Sequence, residues 1–203
     1  MKIICVGRNY FDHINELKNE KPDSPLLFLK PETSIIQKKQ PFFIPNFSND
    51  VQYEVEVLIK INRLGKAISP KFSHKYYDEI GLGIDFTARD LQNKLKKDSL
   101  PWEKSKSFDG SALIGNWINK KNIDNLNNLE FRLTKNGDIV QKGNTSEMIW
   151  KIDELISKIS KFFTLKIGDI IFTGTPSGVG RVNENDKLVG YINDKECFSI
   201  KIK

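Results

Sequence analysis

Gly and Pro interrupt this chain so often that few of its apolar runs have room to become a long helix. Nine runs of four to ten residues read as strands: 3–6, 26–29, 52–61, 80–86, 130–135, 138–141, 169–173, 187–192 and 197–202. Asn136-Gly137 lies between two of them and predicts a tight hairpin, because both residues tolerate positive φ. Residues 116–128 are rich in Asn and Lys and read as a solvated excursion between strands. Three stretches keep helical spacing. In 10–18, Tyr10, Ile14 and Leu17 form a stripe, with Asn9 as the expected cap and Asp12 three residues on. A second helix follows Phe86, with Thr87 as its expected cap, Asp90 three residues on, and Leu91 and Leu95 on one face. In 152–163 the stripe is Ile152, Leu155, Ile156, Ile159 and Phe163. Asp153 and Glu154 come early there, and Lys158 and Lys161 late, as the helix dipole favours. Strands and helices do not alternate regularly. The expected class is therefore mixed α/β and β-rich, a β-roll or sandwich with a few flanking helices rather than a doubly wound sheet.

The 203 residues suit a single domain, 1–203, long enough to bury a real core. Hydrophobic residues at 38% and charged residues at 29% exclude a disordered chain. No apolar run approaches the length of a membrane span, and the first one, 3–6, lacks the length and cleavage site of a signal peptide. A cytoplasmic protein with no membrane partner is expected. Cys5 and Cys197 lie far apart in strand-like stretches with no CxxC pair, so buried reduced thiols are expected. The net charge of +6 raises nucleic acid as a partner. Only five basic residues are Arg, and the Lys are interleaved with Asn and Glu along the whole chain, so no nucleic-acid partner is expected.

The acidic residues carry the first chemical signal. In Tyr53-Glu-Val-Glu-Val57 read as a strand, Glu54 and Glu56 share one face and can converge on one cation. Alternating Glu is more often just a solvated face. Asp85 adds weight to a metal: it ends the apolar run 80–84, where a carboxylate is costly unless it is paired or metal-bound. A helix cap or a buried ion pair would also explain it. With only His13 and His74 and two scattered cysteines, a zinc site is disfavoured, and carboxylates with open positions suit Mg²⁺ or Mn²⁺.

Three further features are candidates. His13 and Glu16 are three apart on the first helix, where a carboxylate can orient an imidazole as a general base; an exposed pair is the plain alternative. The stretch 168–180, rich in Gly, Thr and Pro, can aim backbone N–H groups such as that of Gly174, and the Thr175 hydroxyl, at an anion, or simply turn the chain. It lacks the spacing of a P-loop or a dinucleotide fingerprint. Lys104 and Lys106 fall in a loop after the second helix, within reach of a carboxylate cluster, although surface Lys is the default.

These pieces occur in an ordered set: Cys5-Val-Gly-Arg-Asn-Tyr10, Asp12-His13, Phe28-Leu-Lys-Pro31, Tyr53-Glu-Val-Glu-Val57, Asp85-Phe-Thr-Ala-Arg-Asp90, Gln92, Pro101-Trp102, Lys106-Ser-Phe108, Asn136-Gly137 and the 168–180 stretch. Nearly end to end, the chain resembles the fumarylacetoacetate hydrolase superfamily, in its short branch of acylpyruvate hydrolases and oxaloacetate decarboxylases. The resemblance implies a mixed β-sandwich roll, a homodimer, and Glu54, Glu56 and Asp85 as ligands of Mg²⁺ or Mn²⁺. It implies a His13–Glu16 dyad on a helix that can close over the substrate. Arg89, Gln92, Lys106 and Thr175 match positions that contact the substrate or surround the metal. The implied activity is cleavage of a C–C bond in an acylpyruvate, a small 2-oxo acid, with His13 activating water, Lys106 adding positive charge and Gln92 positioning water. Oxaloacetate decarboxylation, isomerisation or tautomerisation of hydroxymuconate-type 2-oxo diacids, and a non-catalytic binding protein are the other readings.

Overall fold

The computed structural model describes residues 1–17, 20 and 22–203. The apolar runs pair into three sheets. The seven-stranded sheet is ordered β2 (Leu26–Lys30), β1 (Ile3–Gly7), β11 (Ile170–Phe172), β4 (Val55–Ile61), β5 (Tyr77–Asp85) and β7 (Ala112–Ile114), with β8 (Ile118–Asn119) also on β5. The four-stranded sheet is ordered β10 (Asp138–Asn144), β9 (Glu130–Lys135), β13 (Lys187–Ile192) and β14 (Lys195–Lys201). A small third sheet joins β12 (Gly180–Arg181), β3 (Val51–Tyr53) and β6 (Thr87–Ala88). Among the named strands only β1 and β11 pair in parallel. The helices are α1 (Phe11–Glu16), α2 (Pro70–Ser73), α3 (Arg89–Lys97), α4 (Glu103–Lys106) and α5 (Ile152–Phe162). This is the expected β-rich mixed architecture of curled sheets with flanking helices. No helix among the described residues is long and apolar enough to cross a membrane.

The middle of the large sheet is buried on both faces, which is why its strands read as continuous apolar runs. Val55, Val57, Ile59, Leu82 and Ile84 point into the main core with Leu133, Leu188 and the α5 residues Leu155, Ile156 and Ile159. Leu58, Ile3, Cys5, Ile170 and Phe172 point the other way into a second cluster. Strand alternation puts Glu54 and Glu56 on that second side, in line with Leu58. The Asn136-Gly137 hairpin forms as expected, with φ of 57° and 102°. Both cysteines are buried and free.

Tertiary partners overrode local propensity in several places. Asn9 does not cap α1, which has Tyr10 at its N-cap position; its buried amide instead donates to Trp150 O (3.1 Å) and Thr173 O (2.8 Å) and accepts from Trp150 N (2.8 Å). Lys18, the expected end of the first helix, lies outside the described residues. Thr87 is in β6 rather than capping α3, because its hydroxyl is held by Lys106 and by Asp85 O. Asp90 binds Ser48 and the N–H of Asn49 and Leu91. The single strand expected over 52–61 breaks at Glu54: β3 belongs to the small sheet and β4 to the large one. The loop expected after α3 contains α4, and the 116–128 excursion contains β8 and a short 3-10 turn.

Candidate active site

The break at Glu54 is where the site begins. Val55 N donates to Gln141 Oε1 (2.9 Å), a side chain from another sheet, so the strand turns and Glu54 swings towards β5. Asp85 N bonds Glu54 O at 2.8 Å, and Glu56 faces Gly83 across the ladder. Residues directly opposed in an antiparallel pair share a face, so Glu54, Asp85 and Glu56 converge. One oxygen from each lies within 4.8 Å of the others, and the three side chains are 5%, 0% and 2% exposed. The solvated-face explanation for the Glu pair is therefore excluded by burial.

Three cations balance the three carboxylates. Lys106, buried rather than on the surface, places Nζ 2.7 Å from Glu54 Oε2, 2.8 Å from Asp85 Oδ2 and 2.6 Å from Thr87 Oγ1. Lys104 stays exposed. Arg89 is fixed along its whole guanidinium: Nε to Gln52 Oε1 (2.8 Å), Nη1 to Gln92 Oε1 (2.6 Å) and Nη2 to Glu54 Oε1. Lys30 Nζ lies 2.8 Å from Asp85 Oδ1, but its donors go to Lys106 O, Ser111 O and Ser111 Oγ. Asp85 Oδ1 is thus close to a positive charge yet receives no hydrogen bond. Burial works against a charge on Glu54, but Lys106 and Arg89 hold its carboxyl well below the usual range. Burial, then the charges of Asp85 and Glu54, push Glu56 well up. Lys106 is pulled down by burial but raised on balance by Asp85 and Glu54.

His13 lines the same pocket as the carboxylates and pairs with Glu16 behind it. His13 Nδ1 lies 3.2 Å from Glu16 Oε2, and Glu16 Oε1 accepts from Gly178 N at 3.0 Å. That second bond ties α1 to the 168–180 stretch. A carboxylate accepts only, so Nδ1 carries the proton and Nε2 is the basic nitrogen. Burial lowers His13, partly offset by Glu54 and by the bond to Glu16. Gly174, expected to aim its N–H at substrate, donates it to Glu56 Oε2 at 2.6 Å instead. Its φ of +99° suits glycine, and a Cβ there would sit 2.8 Å from the Asn9 Cβ. Thr175 Oγ1 accepts from Gln141 Nε2 (2.9 Å), which leaves its own proton free.

One pocket gathers His13, Glu54, Glu56, Asp85, Arg89, Gln92, Lys106 and Thr175 on its walls; Glu16 and Gly174 stand behind it as supports. Lys30, Gln52 and Gln141 complete the framework and carried no assigned role in the sequence, and Asn9, expected there as a helix cap, joins them. The available signal was a Lys closing the apolar run Leu26-Leu-Phe-Leu-Lys30, where a charge needs a partner. A hard divalent cation fits this donor set. Glu54, Glu56 and Asp85 offer only oxygen, and the unfilled Asp85 Oδ1 is the acceptor such an ion would complete.

A sequence profile described as fumarylacetoacetate (FAA) hydrolase C-terminal matches residues 2–203. The chain is 39% identical over 201 residues to the mitochondrial oxaloacetate tautomerase FAHD1 of Bos taurus, covering 99% of this chain and 91% of that one. It is 46% identical over 182 residues to the mitochondrial oxaloacetate decarboxylase of Dictyostelium discoideum, covering 89% and 84%. The crystal structure of fumarylpyruvate hydrolase from Pseudomonas aeruginosa with Mn²⁺ and pyruvate superposes with a TM-score of 0.93 at 30% identity, covering 100% and 89%.

Proposed function

The chain belongs to the fumarylacetoacetate hydrolase family, and on that premise we propose that it is a Mg²⁺- or Mn²⁺-dependent enzyme that carries a small 2-oxo acid through its enolate. Oxaloacetate is the first substrate proposed. The observation that carries this reading is the convergence of Glu54, Glu56 and Asp85 within 4.8 Å in a pocket that His13 also lines. When bound, the cation supplies a Lewis acid for the charge that develops on the 2-oxo oxygen. Lys106, held between Glu54 and Asp85, adds a fixed positive charge beside that oxygen. His13 Nε2 takes a proton from C3 of the 2-oxo acid and returns it, and Glu16 holds the ring in the tautomer that can do so. Arg89 occupies Gln92 Oε1, so the Gln92 amide presents its N–H₂ to a substrate carboxylate or a water.

Hydrolysis of an acylpyruvate is the second reading. The His13–Glu16 dyad, whose imidazole is buried, favours it, as does the similarity to the fumarylpyruvate hydrolase of Pseudomonas aeruginosa. There His13 Nε2 takes a proton from a water that attacks the distal carbonyl. The C–C bond breaks, the acyl group leaves as an acid, and the pyruvate enolate gains a proton.

The test is turnover of oxaloacetate and of acetylpyruvate by the purified protein with Mn²⁺, with EDTA, and after His13→Ala. Metal-dependent turnover is expected. Loss of the base should reduce acylpyruvate hydrolysis and the keto–enol tautomerisation of oxaloacetate by about 10²–10⁴-fold, and oxaloacetate decarboxylation, which needs neither an attacking water nor a base at C3, by less. Undiminished turnover in EDTA overturns the proposal.

A further inference from the structure

One end of the molecule, away from the pocket, carries charge of a single sign. Two segments meet there. Gly65 and Leu165 exchange backbone hydrogen bonds at 3.0 and 2.8 Å, and Ala67 N donates to Ser160 O at 2.9 Å. Lys66 Nζ donates to Phe162 O (2.8 Å) and Lys161 O (3.1 Å). Asn62 N donates to Tyr76 O at 2.9 Å, and α2 packs on α5, so the whole of 62–76 lies alongside 158–168. These two segments hold seven Lys or Arg and no Asp or Glu. Lys158 is answered by Glu154 at 3.5 Å. The other six, Arg63, Lys66, Lys71, Lys75, Lys161 and Lys166, are exposed, and among the described residues none has a carboxylate partner. The nearest acids in sequence are taken: Asp78 by Lys120, Glu79 by Lys60 and Asp169 by Lys2. Six unanswered charges equal the net +6 of the chain, so the rest of the molecule is balanced.

The same surface bears large apolar side chains. Leu64, Phe72, Phe162 and Ile167 are 62%, 47%, 71% and 73% exposed. Lys71 and Lys75 flank the Phe72 ring, with Nζ 5.9 and 5.2 Å from its centroid. Apolar tips set among unanswered cations are the chemistry of a surface that meets an anionic bilayer. A soluble polyanion would answer the charges but leave the four tips in water. Five of the six cations are Lys, whose flexible stems follow mobile headgroups and keep the charge at the phosphates while the stem lies along acyl chains.

We propose that this end of the protein docks on an anionic phospholipid membrane. Leu64, Phe72, Phe162 and Ile167 enter between the headgroups, and the six cations sit at the level of the phosphates. Lying on a membrane needs no spanning helix. The expectation of no membrane partner, drawn from the lack of a long apolar run, therefore does not reach this surface. The sequence hides it because its two halves are about ninety residues apart and neither is an amphipathic helix of its own. None of these ten residues lines the carboxylate pocket, so docking leaves the site free.

The test is co-sedimentation of the full chain with vesicles of phosphatidylcholine alone and of phosphatidylcholine with phosphatidylserine. Binding to the phosphatidylserine vesicles is expected at about 0.1 M salt and should be lost at about 1 M, where the screening length falls from about 10 Å to about 3 Å. Phosphatidylcholine alone should bind little. Each cation near an anionic surface is worth about fivefold in partition, so Lys71→Gln with Lys75→Gln should weaken binding about 30-fold. Phe162→Ser should weaken it about tenfold. All three positions are exposed, so neither variant disturbs the core. Polyglutamate and duplex RNA are the competing partners. No binding of the wild type to phosphatidylserine vesicles overturns the proposal, as does binding that survives the double Lys variant. Tighter binding to polyglutamate or duplex RNA than to vesicles, indifferent to Phe162→Ser, also overturns it. So does a wild-type dimer that Phe162→Ser dissociates, because a second copy then covers this face.

Discussion

Replacing Glu56 with Gln separates the structural cost of the carboxylate cluster from its use. The amide keeps the side-chain volume and one oxygen for Gly174 N, but it cannot ionise and loses one ligand oxygen. In the metal-free protein, burial and the charges of Asp85 and Glu54 raise the Glu56 carboxyl above its ordinary value. A raised carboxyl contributes stability that is full below its unfolded pKa and is lost as pH climbs through the folded one. The metal-free wild type should therefore lose stability as pH rises from the ordinary carboxylate range, and Glu56→Gln should lose less. At pH 8 without metal, the variant should melt at or above the wild-type temperature. With Mn²⁺ at a hundred times its Kd, the wild type gains about 2.7 kcal/mol. In a domain of this size each kcal/mol moves Tm by about 2–4 °C, so the shift should be about 5–11 °C. The variant should show little of it. Circular dichroism melts at several pH values, with EDTA and with Mn²⁺, read both arms. A full Mn²⁺ shift in Glu56→Gln, or a metal-free variant that melts well below wild type, would refute the reasoning.

Two other outcomes follow from the framework around the cluster. Gln141→Leu removes the partner of Val55 N and one partner of Pro176 O, both bonded to its buried amide. Each orphaned group costs about 1–3 kcal/mol, so denaturant unfolding should show a loss of about 2–6 kcal/mol; a loss under about 0.5 would mean that the amide does not hold the strand break. His13 acts as a base only when neutral, and burial lowers its pKa. The acid limb of kcat/KM for acylpyruvate hydrolysis should then lie below the ordinary imidazole value of about 6.5, and a limb centred above about 7 would assign the base elsewhere.

The carboxylate trio was legible because strand alternation and an acid ending an apolar run are local patterns. So were α5, with its long stripe, and the Asn136-Gly137 hairpin. What escaped depends on distant partners. Asn9 and Thr87 satisfy the local rule for a helix cap, but Trp150 and Lys106 offer better use of the same atoms. The strand break at Glu54 is invisible because its cause, Gln141, is 86 residues from Val55. Helices α2 and α4 are four residues each, too short for any periodicity to register. Lys106 was singled out by the resemblance alone, because nothing near it in sequence announces Glu54 and Asp85 and a surface position is the default for Lys.

The parallel pairing of β1 with β11 has a consequence for how the protein comes to exist. Ile3 lies beside Ile170, so two neighbours at the centre of the large sheet are made 167 residues apart. During synthesis β1 can pair with β2 early, but its other edge stays open until nearly the whole chain has emerged. The contacts that close the sheet are among the longest in sequence, and such topologies fold slowly and expose unpaired edges while they wait. The 168–180 stretch follows β11 directly, and its Gly174 holds Glu56. The competence of the carboxylate cluster is therefore a late event of folding, and a nascent chain cut before residue 174 lacks the backbone donor that holds Glu56 in place.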